Sequence, residues 1–339
     1  MKKSNKIIAI ILVLALVCLA CVSLVACNDN GDDTDNDVMQ NITFSAPEGT
    51  PALAMLRLVT DNAAIGNYNV SYKVVKPANI AAEMASKSSD IVIMPVNAGA
   101  NLIRQGANYK LASIAVDGSL YMVGKTEKGG AISIDDIKGK KIACIGQTGV
   151  PGLVFRYVMS ANDVEIVGED VTPNENQISV QYVADGSAAR VLLAGGNVDF
   201  AVVGEPAATA FKGALKLNIE MDMQAEYAKV SGEATYPQAG LFVSGALAND
   251  EEFMSKLFIA LSASKTWVNG NASEVDAFAK EHLYESASFP ADSIARCKVN
   301  ATKLDETQKA QVITFLEKVM PKDSKGNQID WQAAKELLF

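Results

Sequence analysis

Past the first forty positions, apolar residues fall into two patterns: short all-apolar runs and longer stretches with helical spacing. Asp90-Ile91-Val92-Ile93-Met94-Pro95 and Asp199-Phe200-Ala201-Val202-Val203 are of the first kind and predict strands buried on both faces of a parallel sheet. Each follows a helical stretch, Ala81 to Met84 in one case and Ala188 to Leu193 in the other. Asn69 to Val75 and Ile178 to Val183 supply further strands upstream. Ile42 to Leu53 can moreover be laid over Ile142 to Leu153 with an offset of one hundred. In both, a short strand runs into a Gly-containing turn, and a proline (Pro51, Pro151) opens an amphipathic helix where a missing N–H costs little. The pattern predicts two β-α-β-α-β units in an α/β fold with doubly wound sheets, whose ligands sit at the carboxyl ends of the strands.

Leu111 to Lys125 and Tyr236 to Val243 are strand candidates placed where a chain would cross between two lobes. They read as hinge strands, so that residues 127–236 form a second lobe inserted into a first made of 41–126 and 237–339. Past the second hinge strand the pattern is helical to the end, at Asp250 to Asn269, Ala272 to Tyr284, Asp305 to Val319 and Trp331 to Leu338. These helices are expected to cover the first lobe. About 300 residues follow the N-terminal forty, more than one compact core usually holds, which also predicts two lobes.

The N-terminus has a different pattern. Lys2, Lys3 and Lys6 precede an uncharged run from Ile7 to Ala26, as in an export signal over 1–26. The run is also long enough to remain as a membrane anchor, and both readings put the bulk of the chain outside the cytoplasm. Leu24-Val25-Ala26-Cys27 resembles a bacterial lipobox, which implies cleavage before Cys27 and lipid attachment to its sulfur. Residues 27–40, rich in Asp and Asn, cannot bury apolar surface and are expected to form a disordered acidic tether. Their Asp spacing does not match a calcium loop. A lysine-rich start and a polar spacer suit a Gram-positive cell surface.

The net charge of −9 argues against nucleic acid as a partner. Of five cysteines, Cys18 and Cys21 lie inside the signal and Cys27 would be lipidated, which leaves Cys144 and Cys297, whose separation neither requires nor excludes a disulfide. Cys144 sits in an apolar strand pattern and reads as a buried packing thiol. The single histidine, His282, falls on a late helix. There is no Gly-x-Ser-x-Gly elbow, no phosphate loop and no metal-spaced Cys/His cluster, so the chain gives no support to catalysis, a cofactor or a metal.

Taken together, the lipobox, the Gly-Thr-Pro helix start (49–51), Asp-Ile-Lys-Gly-Lys-Lys-Ile (136–142), Gly-Asn-Val-Asp-Phe-Ala-Val-Val-Gly-Glu-Pro (196–206) and Leu-Phe-Val (241–243) resemble the nitrate, sulfonate and taurine class of ABC-importer substrate-binding proteins. That class is related to the pyrimidine-precursor binding proteins of thiamine salvage. The resemblance covers nearly all of Asn41 to Phe339. It implies a two-lobed periplasmic-binding-protein type II fold, a monomer that closes on a small-molecule ligand and is read by an ABC permease with its ATPase subunit. An enzyme related to pyrimidine-precursor synthesis and an extracellular sensor subunit are the competing readings.

In such a clamp, helices starting near Thr50-Pro51 and Val150-Pro151 point their N–H groups into the cleft, one from each lobe. Ser45, Thr50, Gln147 and Thr148 add side-chain bonds, and Gly49 and Gly149 let the backbone approach the ligand. Asn97 and Glu205 stand at the ends of the other buried strands, and Asp117 and Tyr121 near the first hinge strand. Gly-Thr-Pro and Gly-Val-Pro are equally ordinary helix starts whatever the function. The expected cleft loops carry Glu48, Asp117 and Glu205 but no Lys or Arg, which favours a neutral or zwitterionic solute with an amine or amidine over a bare oxyanion. Arg104 and Arg156, one or two turns along the helices, are the cations that could alter this.

Overall fold

The computed structural model describes residues 39–60, 64–124, 126 and 131–339. The expected signal segment, Cys27 and the tether up to residue 38 lie outside the described residues. Among these, no helix is long and apolar enough to cross a membrane. Gln40, counted with the tether from the sequence, is the first residue of a strand.

Twelve strands build two six-stranded mixed sheets. In chain order they are β1 (Gln40–Pro47), β2 (Tyr68–Val75), β3 (Ile91–Pro95), β4 (Tyr109–Asp117), β5 (Leu120–Gly124), β6 (Lys141–Ile145), β7 (Glu165–Gly168), β8 (Gln177–Val183), β9 (Phe200–Gly204), β10 (Asn218–Asp222), β11 (Pro237–Ser244) and β12 (Val299–Lys303). The first sheet has the order β12-β4-β11-β3-β1-β2, and the second β10-β5-β9-β6-β8-β7. The first has three parallel strands (β3-β1-β2) and the second four (β9-β6-β8-β7), each set continued by an antiparallel strand, β11 or β5. The first four residues of both β3 and β9 are fully buried, as expected of parallel strands covered on both faces.

The duplication extends to hydrogen bonds that the pattern did not reveal. Asp90, just before β3, accepts the Thr43 N–H on its carboxylate (2.9 Å) and donates its own N–H to the Thr43 carbonyl (2.9 Å). Asp199, just before β9, does the same with Lys141, at 2.8 Å in both directions. Each aspartate pins the start of its neighbouring parallel strand.

The chain crosses between sheets at Gly118-Ser119 and again near Tyr236. Gly118 N–H donates to the Tyr236 carbonyl (2.9 Å), and Ser119 and Gln238 exchange two further bonds at 3.0 Å. Residues 120–124, placed in the first lobe from the sequence, therefore pair within the second sheet as β5. Two other expectations change. The C-terminal segment is not wholly helical, because β12 returns to the edge of the first sheet. Helix Glu306–Val319 does not cover the first sheet alone, since it also packs against Val150–Ala161 of the second. There Phe315 stacks on Tyr236 at a centroid distance of 5.9 Å and meets Tyr227 edge-on. Three of the C-terminal helices start close to the expected positions for a local reason, namely that Asp250, Asp305 and Asp330 each cap a free N–H of the first turn.

Candidate functional site

The carboxyl ends of β1, β3, β6 and β9 all carry residues that meet between the two sheets. Glu205 follows β9, with its side chain fully buried and its peptide bond to Pro206 cis. One carboxylate oxygen accepts the Thr209 N–H (3.0 Å), and the other accepts the Thr209 hydroxyl (2.8 Å). These bonds lock Glu205 onto the first turn of helix Ala207–Leu215. From the first sheet's side, Arg296 of helix Ile294–Cys297 donates its Nε to the same carboxylate at 2.6 Å and an Nη to the Thr209 hydroxyl. Every polar group bonded to the Glu205 carboxyl is a donor, and Arg296 forms a salt bridge with it. Burial works against the Arg296 charge, but the bond and charge of Glu205 outweigh it, and the net shift of its pKa is upward.

Two more bonds bridge the sheets. The buried Thr50 hydroxyl donates to the Glu205 carbonyl (2.7 Å), and the Asn97 amide donates to the Thr148 carbonyl (2.9 Å). Asn97 is 3 % exposed, and its Oδ1 is buried without a hydrogen-bond partner among the described residues. A buried acceptor in this state is a place for an incoming N–H or O–H donor. Tyr121 of β5 is buried beside this group. Burial raises its phenol pKa, and the nearby charges of Asp222 and Glu205 add to the effect.

Other expected site residues are placed differently. The Ser45 hydroxyl is fully buried against Ser89 (2.7 Å), in a network that continues to Glu83 and Lys73, away from the interlobe group. Glu48 pairs with Lys76 at 2.8 Å near the surface. Gly49 adopts φ +94°, which suits glycine, but its N–H is taken by the Tyr284 hydroxyl at 2.9 Å. The helix it opens, Thr50–Leu53, is a single turn, so the expected cradle of free N–H groups does not form on that side. On the other side Gln147 and Thr148 are exposed, and Arg156 holds the Gln147 carbonyl at 2.7 Å. Gly149 has an ordinary φ of −90°. The close approach occurs at Gly152 instead, where a Cβ would lie 2.6 Å from the Gly146 carbonyl oxygen. Asp117 accepts from Asn300 (3.0 Å) and lines a separate cavity of about 120 Å³ at the hinge, with Tyr227, Glu233 and Tyr236. Burial raises its pKa against the lowering effects of Asn300, Lys265 and Lys298.

Sequence reasoning missed Arg296, Thr209 and Tyr284. Thr209 lies one helical turn after Glu205, a spacing that could have flagged it. Arg296 lies on a short helix between longer ones, far from any strand end in sequence, and nothing in its context marked it. Its presence corrects the expectation of a cleft without Lys or Arg. Arg104, by contrast, donates an Nη to Asn101 on its own helix.

The fold is shared with solved structures of transport proteins. An ABC transporter protein from Parabacteroides distasonis is similar over 86 % of this chain and 97 % of its own, at 22 % identity and a TM-score of 0.68. The zinc-bound ligand-binding component of an ABC-type import system from Staphylococcus aureus matches over 82 % and 91 %, at 11 % identity and a TM-score of 0.62. The periplasmic aliphatic sulphonate binding protein SsuA from Escherichia coli matches over 82 % and 86 %, at 13 % identity and a TM-score of 0.60. No protein-family model matches the chain. No curated protein matches it either. At these identities the likeness is one of fold, the two-lobed fold of the binding components of ABC importers.

Proposed function

We propose that this chain is an extracytoplasmic solute-binding protein of an ABC importer, lipid-anchored to the cell membrane at Cys27 once its signal is removed, on a Gram-positive surface. It captures a small polar organic nutrient, sulfonate- or taurine-like or aminopyrimidine-like, between its lobes and delivers it as a monomer to the permease. The observation that carries this reading is the pair of hydrogen bonds that join strand-end loops of the two sheets, Thr50 to Glu205 and Asn97 to Thr148. The two crossover segments at Gly118-Ser119 and Tyr236 supply the hinge. A solute that touches both lobes makes its full set of contacts in the closed form alone, so binding shifts the population toward closure. The fold likeness to import components supports the same reading.

A thermal-shift screen against taurine, alkanesulfonates, nitrate, aminopyrimidines, amino acids and phosphonates tests it, with mass analysis of each hit for turnover. A solute at about 100 times its dissociation constant raises stability by roughly 2.7 kcal/mol. Saturable stabilisation with the solute recovered intact is the expected result. Conversion of the hit would make the protein an enzyme, and no stabilisation by any compound would remove the receptor reading.

A further inference from the structure

We propose that Arg296 is an exchangeable counter-ion for Glu205, and that the cleft therefore selects solutes carrying a cationic N–H donor that takes its place. This rests on the solute-binding reading above and names the chemistry the site selects. The two partners of the ion pair are not equivalent. The Glu205 side chain is fully buried and fastened to its own lobe by Thr209, whereas that of Arg296 is 32 % exposed and comes from the other lobe. When the lobes separate, Arg296 leaves with the first lobe toward water, and Glu205 stays where it is.

A buried carboxylate that loses its cation is strongly destabilised. A solute entering the closed cleft must restore a positive N–H donor at Glu205 or leave Arg296 in place. The orphaned Asn97 Oδ1 adds a second buried acceptor on the opposite lobe, so the unfilled hydrogen-bonding capacity at this interface calls for donors. A simple anion offers acceptors alone and cannot take the place of Arg296 at Glu205. A zwitterion is compatible, because its acid group can rest on the displaced guanidinium. Arg296 with Thr50 and Asn97 bonds the lobes directly, so solute entry is an exchange of partners rather than the filling of an open site.

The full chain, wild type and Arg296→Met, is measured by small-angle X-ray scattering without solute. Its affinities for 2-aminoethanesulfonate, ethanesulfonate and ethylammonium are then compared by calorimetry, a set in which ammonium and sulfonate are removed one at a time. The expected results are a larger radius of gyration for Arg296→Met, and binding of the aminosulfonate or ethylammonium about tenfold or more tighter than ethanesulfonate. Glu205→Gln should abolish that preference while its circular dichroism remains that of the wild type. An unchanged radius of gyration, or ethanesulfonate binding as tightly as its amino counterpart, overturns the inference. So does stabilisation by an anion of the wider panel when neither ammonium-bearing probe binds, and that outcome leaves the receptor reading standing. Failure of every solute in the panel overturns the receptor reading itself.

Discussion

Gly152 offers a test in which opposing effects of known size must be weighed. It lies in the first turn of helix Val150–Ala161, and its N–H donates to the Gly146 carbonyl at 3.2 Å, which also accepts from Gly149 at 2.9 Å. A Cβ at Gly152 would stand 2.6 Å from the Gly146 oxygen and 2.8 Å from both Cα and O of Gln147. All three are backbone atoms, so the loop itself has to move. On helix propensity alone, Gly152→Ala gains up to about 1 kcal/mol. Against this stand overpacking, typically about 1–3 kcal/mol, and the weakened hydrogen bond at about 1 kcal/mol. The clash wins, and Gly152→Ala should be destabilised by about 1–3 kcal/mol. Gly149→Ala is the matched control. Its Cβ would sit 3.6 Å from the same oxygen at an ordinary φ, so its stability should change by no more than about 0.5 kcal/mol. Urea unfolding of both variants gives the two values. A Gly152→Ala protein as stable as wild type, or a Gly149→Ala protein more damaged than Gly152→Ala, would refute the close-approach argument.

Two further outcomes concern ionisation. Burial raises the Glu83 pKa, but bonds from Lys73, Ser88 and Ser89 outweigh it and hold the carboxyl below its usual value. Its contribution is therefore present above the unfolded-state pKa and lost as pH falls through the folded one. Glu83→Gln should cost about 1–2 kcal/mol near pH 7 and lose less stability than wild type between pH 5 and 3, read from urea midpoints. Burial pushes the thiols of Cys144 and Cys297 up to about 12. The unfolded thiols ionise near pH 8.5, so above that pH the unfolded state releases protons that the native state keeps, and stability falls as pH rises. A Cys144→Ala/Cys297→Ala double variant should show a shallower decline between pH 8.5 and 10. Both thiols should also resist a thiol-specific reagent until denaturant is added.

Parallel-strand cores were legible because burial on both faces leaves an unbroken apolar run, as in Ile91–Met94 and Phe200–Val203. Three helix starts in the C-terminal part were legible where an aspartate supplies the cap, at Asp250, Asp305 and Asp330. β7, β10 and β12 were not, since each is only four or five residues long, too short for its pattern to stand out. Residues 120–124 fall to the first lobe in the sequence because Leu111 to Lys125 reads as a single strand candidate across the polar Asp117-Gly118-Ser119 break, where the chain changes sheet. At the site, strand-end logic named Thr50, Asn97, Thr148 and Glu205, which the fold brings together. The same logic cannot see Arg296 or Tyr284, which come from a short helix and a loop far along the chain. Nor does it reveal that the Ser45 hydroxyl, near the end of β1, turns to Ser89 instead.

Calorimetric titration of the full chain and its Glu205→Gln variant with the solute that emerges from the stability screen tests the central claim most directly. The account predicts one saturable site in the wild type, solute recovered unchanged, and affinity at least about tenfold weaker in the variant. Equal affinity in both proteins would place the site away from the interlobe group, and consumption of the solute would contradict the receptor function itself.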